Sequence, residues 1–475
     1  MLEQIFSHLR TLQRILHDYV PKHLIENPPR PGEIRYKWQQ GTLMFTDLAG
    51  FTRLLEANAT LGSAGAVSLL NILNDYFSRM LEIISKSGGE LMEFTGDALF
   101  VFFPEDQRGN DTKKAIRAGL RMQRAMQEFA HIETPVGILS LQMRVGIHKG
   151  TFLVADIGTP RRMEHVLLGK AVQDAKLAES NGFNGRVCLS EAAYRHVEKE
   201  FEFESGRTGY YLVVDNLSET DLGEYEIVMP RRMANPVLFE RSTMGLMIEI
   251  QNLLQTLEPL AAFLPSAVLD LLVENAAQRQ LVPDFPEPVI LFVNFIGLPE
   301  LVDIALPGEE TKIIHSFSRA FALINAAVEA NGGMLKKITY HLSGSDIVIY
   351  FGVPTAHTDD ALRAARAALE IRRIIGQLKA PTVGGREVEV YCQIGISRGS
   401  AFVAEIGEPR GRREFNVLGD TVNTTARIMN HAGRNQILIN ERLAQEISSQ
   451  FHIQDAGLFS AKGKERPLHI YELTG

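Results

Sequence analysis

Cysteine is almost missing from this 475-residue chain. Cys188 and Cys392 are the two present, too few for a disulfide framework, and such scarcity fits a reducing compartment. Long apolar runs are also missing. The most apolar stretch, Leu257 to Val273, is interrupted by Glu258, Pro259, Pro265 and Asp270, which argues against a membrane span. The N-terminal segment MLEQIFSHLRTLQRILHDYV is amphipathic and has neither the apolar core nor the cleavage site of a secretory signal. An excess of basic residues is absent as well: Lys plus Arg number 49 against 57 Asp plus Glu, a formal net charge of −8, so nucleic acid is a poor partner. These absences predict a soluble cytoplasmic protein with no nucleic-acid partner and no membrane insertion. What remains, 45% apolar and 22% charged residues, is ordinary globular composition, and the length calls for two domains.

The chain repeats itself once. "RVGIHKGTFLVADIGTPRR" (144–162) returns as "QIGISRGSAFVAEIGEPRG" (393–411), with Gly146, Gly150, Gly158 and Pro160 matched 249 residues later by Gly395, Gly399, Gly407 and Pro409. "LMFTDLAG" (43–50) returns as "ILFVNFIG" (290–297), and "ALFVFF" (98–103) as "DIVIYF" (346–351). Cys188 and Cys392 lie in apolar strand contexts and read as core. The 13 histidines show no metal-ligand spacing, and His148 and His165 read as polar edge residues.

Each unit has one order of elements: an apolar strand ending at Asp47 or Asn294, a long amphipathic helix, a hairpin with turns at Gly96-Asp97 or Gly344-Ser345, a second helix (about 110–130 or 358–377), a strand pair around Gly146 or Gly395, and a helix after Gly169 or Gly419. The stripes Leu70, Leu73, Phe77, Met80, Ile84 and Ile314, Phe317, Phe321, Ile324, Val328 share steps of three and four, the mark of a core-facing helix. A β-α-β-β-α-β order predicts an α+β fold of two ferredoxin-like domains.

Asp47 and Asp97 fall at strand ends that this order makes neighbours. Asp47 leads into "LAGFT", a small-residue turn that offers backbone N–H groups to phosphate oxygens. Two carboxylates beside such a turn are the hard oxygen ligands Mg²⁺ prefers, a triphosphate supplying the rest; singly, they read equally as a helix cap and a turn residue. The repeat weighs against that plain reading. In the second unit the same positions are Asn294 and Ser345, and Arg144 becomes Gln393, so the fold does not require the carboxylates. Conversely, "NVLGDTVNTTARIMN" carries Asn423 and Arg427 on one helical face, where the first unit has Gln173 and Leu177.

With "FTDLAGFT" (45–52), "GDALF" (96–100), "MRVGIHKG" (143–150) and "NVLGDTVNTTAR" (416–427) in this order, the chain resembles the class III nucleotide cyclases over nearly its whole length. Within them it is most similar to the bicarbonate-responsive soluble adenylyl cyclases, which carry two unequal catalytic domains in one chain. The resemblance divides the chain into a helical lead-in (1–35), a metal-binding catalytic domain (36–230), a helical linker (231–285) and a second catalytic domain (286–475).

The resemblance further implies site roles. Asp47 and Asp97, with Leu48, would hold two Mg²⁺ or Mn²⁺ ions. Leu48, Ala49, Gly50, Phe51 and Thr52 would form the phosphate turn. Arg144 would contact the polyphosphate, Asn423 would orient the ribose, and Arg427 would neutralise the α-phosphate in the transition state. Lys462, or Lys464 in its place, would bind phosphate. Lys337 and Asn416, with Val417 beside them, would read the base. A lysine donates to adenine N1 and an Asn oxygen accepts from the amino group, although a flipped Asn416 would serve guanine O6; the register leaves Lys336 as a substitute for Lys337. ATP is thus the expected substrate. A guanylyl cyclase and a catalytically silent nucleotide-binding sensor are the alternatives. At the mirror-image site the base-side positions are Glu93 and Val166, and the bicarbonate-binding lysine and arginine of the relatives are Glu93 and Lys176. Glu93 would repel the anion and pair with Lys176, so little or no bicarbonate response is expected. One chain holds both halves, so a monomer suffices; no activator is identifiable.

Overall fold

The computed structural model describes residues 2–225, 242–276, 281–340, 342–408, 411–460 and 467–475. Two lobes repeat one architecture. In the first, the sheet runs Glu90–Thr95, Ala98–Pro104, Arg35–Ala49, Gln142–Thr159, then Val187–Ser190, Tyr210–Val213 and Phe203–Ser205. In the second it runs Met334–Tyr340, Ser345–Phe351, Val289–Ile296, Tyr391–Arg398, then Gln436–Asn440, Leu468–Leu473 and Ile453–Phe459. The first four strands of each are antiparallel neighbours in the ferredoxin-like order, and the fifth adds in parallel.

The two apolar stripes do what their spacing predicts. Leu70, Leu73, Phe77, Met80 and Ile84 are buried on the helix Gly62–Lys86, and Ile314, Phe317, Phe321, Ile324 and Val328 on the helix Glu310–Ala330. Burying such a stripe against a sheet is the main source of helix stability in a domain.

The lobes are joined head to tail by exchanged arms. The strand Gln142–Thr159, paired with Arg35–Ala49 as far as Asp156, continues to Thr159 and turns back as Arg162–Leu168. Its Phe152, Leu153 and Val166 share a cluster with Ile313, Phe317 and Phe321 of the second lobe. Reciprocally, the hairpin Phe402–Gly407/Arg413–Leu418 sends Phe402, Ala404 and Leu418 into the cluster of first-lobe Leu69, Leu70 and Leu73. The arms are pinned symmetrically: Gly158 N–H donates to Ser318 Oγ at 2.9 Å, and Gly407 N–H donates to Asn74 Oδ1 at 3.2 Å. Both glycines have φ near +130° (129° and 132°), and a Cβ on either would come within 2.3 Å of a carbonyl across the turn. Only glycine fits there.

The lead-in helix Leu2–Tyr19 packs beside the linker helix Thr243–Ala261 and is tied to the second lobe. Tyr19 Oη donates to Glu405 at 2.9 Å, and Asp18 pairs with Arg413 at 2.7 Å. Cys188 and Cys392 are fully buried. Of the two histidines read as polar edge residues, His148 departs from that position, while His165 is half-buried on Arg162–Leu168, a strand that pairs on one side only. His148 is buried against Ser190 at 2.9 Å, and His165, on the exchanged arm, bonds Asp156 at 2.7 Å. Among the described residues no helix is long and apolar enough to cross a membrane. Lys462 and Lys464 lie outside the described residues.

Candidate active site

Asp47 stands near the end of the strand Arg35–Ala49, directly opposite Arg144 in the antiparallel register. The strand ends in a turn at Gly50, φ +94°, where a Cβ would lie 2.6 Å from the Ser140 carbonyl, and the helix Phe51–Ala59 begins. Leu48 and Phe51 are buried. Their side chains anchor the turn in the core, which leaves its backbone N–H groups as the part able to meet a ligand. Asp97 follows Gly96, φ +69°, in the tight turn between Glu90–Thr95 and Ala98–Pro104. Leu99 N–H donates to Thr46 Oγ at 3.1 Å and holds this hairpin beside Asp47.

The carboxylates form one electrostatic unit. Burial, and then the charge of Asp47, pushes the Asp97 carboxyl up to about 7, with Glu179 adding to the effect. Arg144 Nη2 donates to Asp47 Oδ2, and its Nε lies 2.8 Å from Glu179 Oε1. Two carboxylates thus share one guanidinium, with Asp97 within electrostatic reach of both, and the surplus of negative charge suits divalent cations. Among the described residues no three His, Cys, Asp or Glu groups make a closed metal cage.

The second lobe's Leu418–Gly419 junction reaches the same region. Asn416 and Val417 are buried on Arg413–Leu418, and the Asn416 Nδ2 has no partner among the described residues. After Gly419, φ +133°, the helix Asp420–His431 carries Asn423 exposed and Arg427 half-buried. A Cβ on Gly419 would sit 3.3 Å from Leu55 of the helix after the phosphate turn, and one on Gly96 would sit 3.7 Å from Leu418 Cδ2. The turn holding Asp97 and the junction leading to Asn423 therefore face each other across the lobe boundary.

The lysine register is resolved by a bulge. The strand Met334–Tyr340 slips between Leu335 and Lys337, as Glu90–Thr95 does between Leu91 and Glu93. Lys337 is therefore the counterpart of Glu93. Its Nζ donates to the Phe94 carbonyl of the first lobe and lies 3.6 Å from Glu414, while Lys336 Nζ lies 2.8 Å from Glu414. Burial opposes ionisation of Glu414, but Lys336 and Lys337 outweigh it and hold the carboxyl at about 2. The Lys336 ammonium is pushed down to about 8, chiefly by burial. Sequence reasoning missed Glu414 and Glu179. For Glu414 a signal existed: in a strand, a residue two before Asn416 shares its face.

The mirror-image site is differently furnished. Asn294 and Ser345 are buried where the first lobe has its aspartates. Lys176 Nζ donates to the Tyr340 carbonyl and lies 5.5 Å from the Phe45 ring centroid. Glu93 lies within the electrostatic reach of Lys176 and Lys337, and burial raises its pKa.

The family of the adenylate and guanylate cyclase catalytic domain matches residues 35–215 and 288–475. Adenylate cyclase type 10 of Rattus norvegicus is 23% identical over 414 residues, 85% of this chain and 24% of that protein. Adenylate cyclase 1 of Rhizobium meliloti (strain 1021) is 28% identical over 167 residues, 34% of this chain and 24% of that protein. The chain thus spans about a quarter of the length of these relatives. A class III adenylyl cyclase-like ATP-binding protein from Pseudomonas aeruginosa, 15% identical, superposes over 93% of this chain and 92% of its own with a TM-score of 0.58, a likeness of fold. Two sheet-and-helix lobes, each matched by the family and joined by reciprocal arms, place this chain in the adenylate and guanylate cyclase catalytic domain family.

Proposed function

We propose that the chain is an adenylyl cyclase, converting ATP to 3′,5′-cyclic AMP and pyrophosphate at one site between the lobes. The observation that carries this reading is the facing of the Asp97 turn and the Leu418–Gly419 junction. It supports a site shared by the first lobe's carboxylates and the second lobe's Asn416, Asn423 and Arg427.

The chemistry asked of the protein is mostly positioning and charge stabilisation during in-line attack of O3′ on the α-phosphorus. Two divalent cations, Mg²⁺ or Mn²⁺, held by Asp47, Asp97 and Leu48, would lower the pKa of the 3′-hydroxyl and offset charge on the leaving pyrophosphate. The surplus of carboxylate around Arg144 supports such a donor set. The backbone from Leu48 to Thr52 cradles the phosphates, and Arg144 binds the polyphosphate. Asn423 orients the ribose. Arg427 presents its planar fork to the charge that develops on the α-phosphate. Lys462 is assigned a phosphate contact by sequence alone.

Lys337 donates to adenine N1, and Asn416 and Val417 line the base. An ammonium has no acceptor for the N1–H of guanine, which favours ATP over GTP. The intramolecular pairing of lobes leaves a monomer with a complete site, and the activating partner is unassigned.

The test is purified protein with Mn²⁺ and equimolar ATP and GTP, reading both cyclic products. Cyclic AMP as the main product, lost in Asp47→Ala and Arg427→Ala, supports the reading. Cyclic GMP in excess replaces it with a guanylyl cyclase. ATP binding without any cyclic product replaces it with a silent nucleotide-binding module.

A further inference from the structure

Arg144 has two anionic partners, and the proposed mechanism uses only one. Its Nη2 donates to Asp47, while its Nε lies 2.8 Å from Glu179 Oε1. Glu179 is 5% exposed on the helix Lys170–Ser180, against the strand that carries Arg144. The approach is close because residue 146 is glycine: a Cβ there would lie 2.0 Å from the Glu179 nitrogen. Burying a carboxylate costs several kcal/mol unless a cation compensates it, so this glutamate has a specific reason to be present.

The second lobe acts as an internal control. There Gly395 packs in the same way against the backbone of Met429, 2.5 Å from its nitrogen, so Met429 occupies the place of Glu179. Gln393 occupies the place of Arg144 and donates to the Ala432 carbonyl instead. Both members of the ion pair are replaced together, in the lobe whose metal positions are Asn294 and Ser345. The helix-on-strand packing therefore does not need a glutamate. The arginine does.

We propose that Glu179 is a positioning residue that grips Arg144 at Nε, so that its Nη2 edge can leave Asp47 for the phosphate chain without the guanidinium swinging free. Nη2 neutralises Asp47 through its hydrogen bond. Once Asp47 is taken by a cation, that edge is released, and the anchored Nε limits where it can go. A guanidinium held on one side loses less freedom on binding phosphate than an unanchored one. This rests on the adenylyl cyclase reading for its substrate, but the polyphosphate affinity at its centre is measurable without turnover.

The experiment compares wild type, Glu179→Gln, Glu179→Met (the side chain carried at 429), Arg144→Ala and the double variant Glu179→Gln/Arg144→Ala. Inorganic tripolyphosphate binding is measured calorimetrically in Mn²⁺, with kcat and KM for ATP alongside. Glu179→Gln and Glu179→Met are expected to weaken tripolyphosphate binding roughly tenfold, as on removing one partner of a close, largely buried ion pair, and to raise KM more than they lower kcat. In the Arg144→Ala background the Glu179 substitution should change nothing further. Unchanged tripolyphosphate affinity in both single variants overturns the proposal, as does an equal loss with Arg144 already removed. If wild type forms no cyclic product, the adenylyl cyclase reading fails while the tripolyphosphate comparison still judges Glu179.

Discussion

Lys337 of the second lobe donates its ammonium to the backbone carbonyl of Phe94 in the first. This contact links the strand proposed to read the base with the hairpin that ends at Asp97, three residues beyond Phe94. Lys337→Ala should therefore raise KM for ATP by about tenfold or more, from loss of a charged hydrogen bond, and erode discrimination against GTP. Competition assays with both triphosphates measure this; an unaltered preference would remove Lys337 from base reading.

The Asp97 carboxyl, pushed up to about 7 by burial and by Asp47, holds a proton below neutrality in the metal-free protein. Protons and divalent cations then compete for it. Mn²⁺ affinity without nucleotide should fall as pH drops through about 7 and level off above it. The sign for stability is opposite. A carboxyl with a raised native pKa leaves the folded state binding more protons than the unfolded state, so the metal-free protein should lose stability as pH rises from about 4 to about 7. Adding Mn²⁺ should restore it. Calorimetric titration and melting curves across that range check both.

Arg427→Ala is expected to lower kcat by roughly 10² or more with a small change in KM, because the group is proposed to act on charge that develops only in the transition state. A raised KM with kcat unchanged would assign it to ground-state binding instead.

Gly146→Ala and Gly395→Ala should each destabilise the fold by about 1–3 kcal/mol through overpacking. Each new Cβ meets helix backbone, Glu179 in one lobe and Met429 in the other, which has no rotamer to yield. Chemical denaturation measures the loss. Only Gly146→Ala should also disturb tripolyphosphate binding, because only its helix carries the Arg144 anchor.

Bicarbonate is expected to leave cyclase activity unchanged at fixed pH. Glu93 puts a carboxylate in the mirror-image site, and the Lys176 ammonium is already bound to the Tyr340 carbonyl. A several-fold rise in activity would overturn this.

Much of this was legible in the residues alone. The duplication, the helix stripes and the asymmetry of Asp47 and Asp97 against Asn294 and Ser345 follow from spacing and side-chain chemistry, because periodicity and residue type act locally. The tertiary structure decided the remainder. Whether Lys336 or Lys337 faces the other lobe depended on a bulge, which shifts register through the partner strand. His148 lies inside because the strand bearing it is central in its sheet, between Arg35–Ala49 and Val187–Ser190, which brings Ser190 against it. Glu414 and Glu179 gained their meaning from lysines and an arginine brought to them by other strands, since a charge has its value set by neighbours distant in the chain.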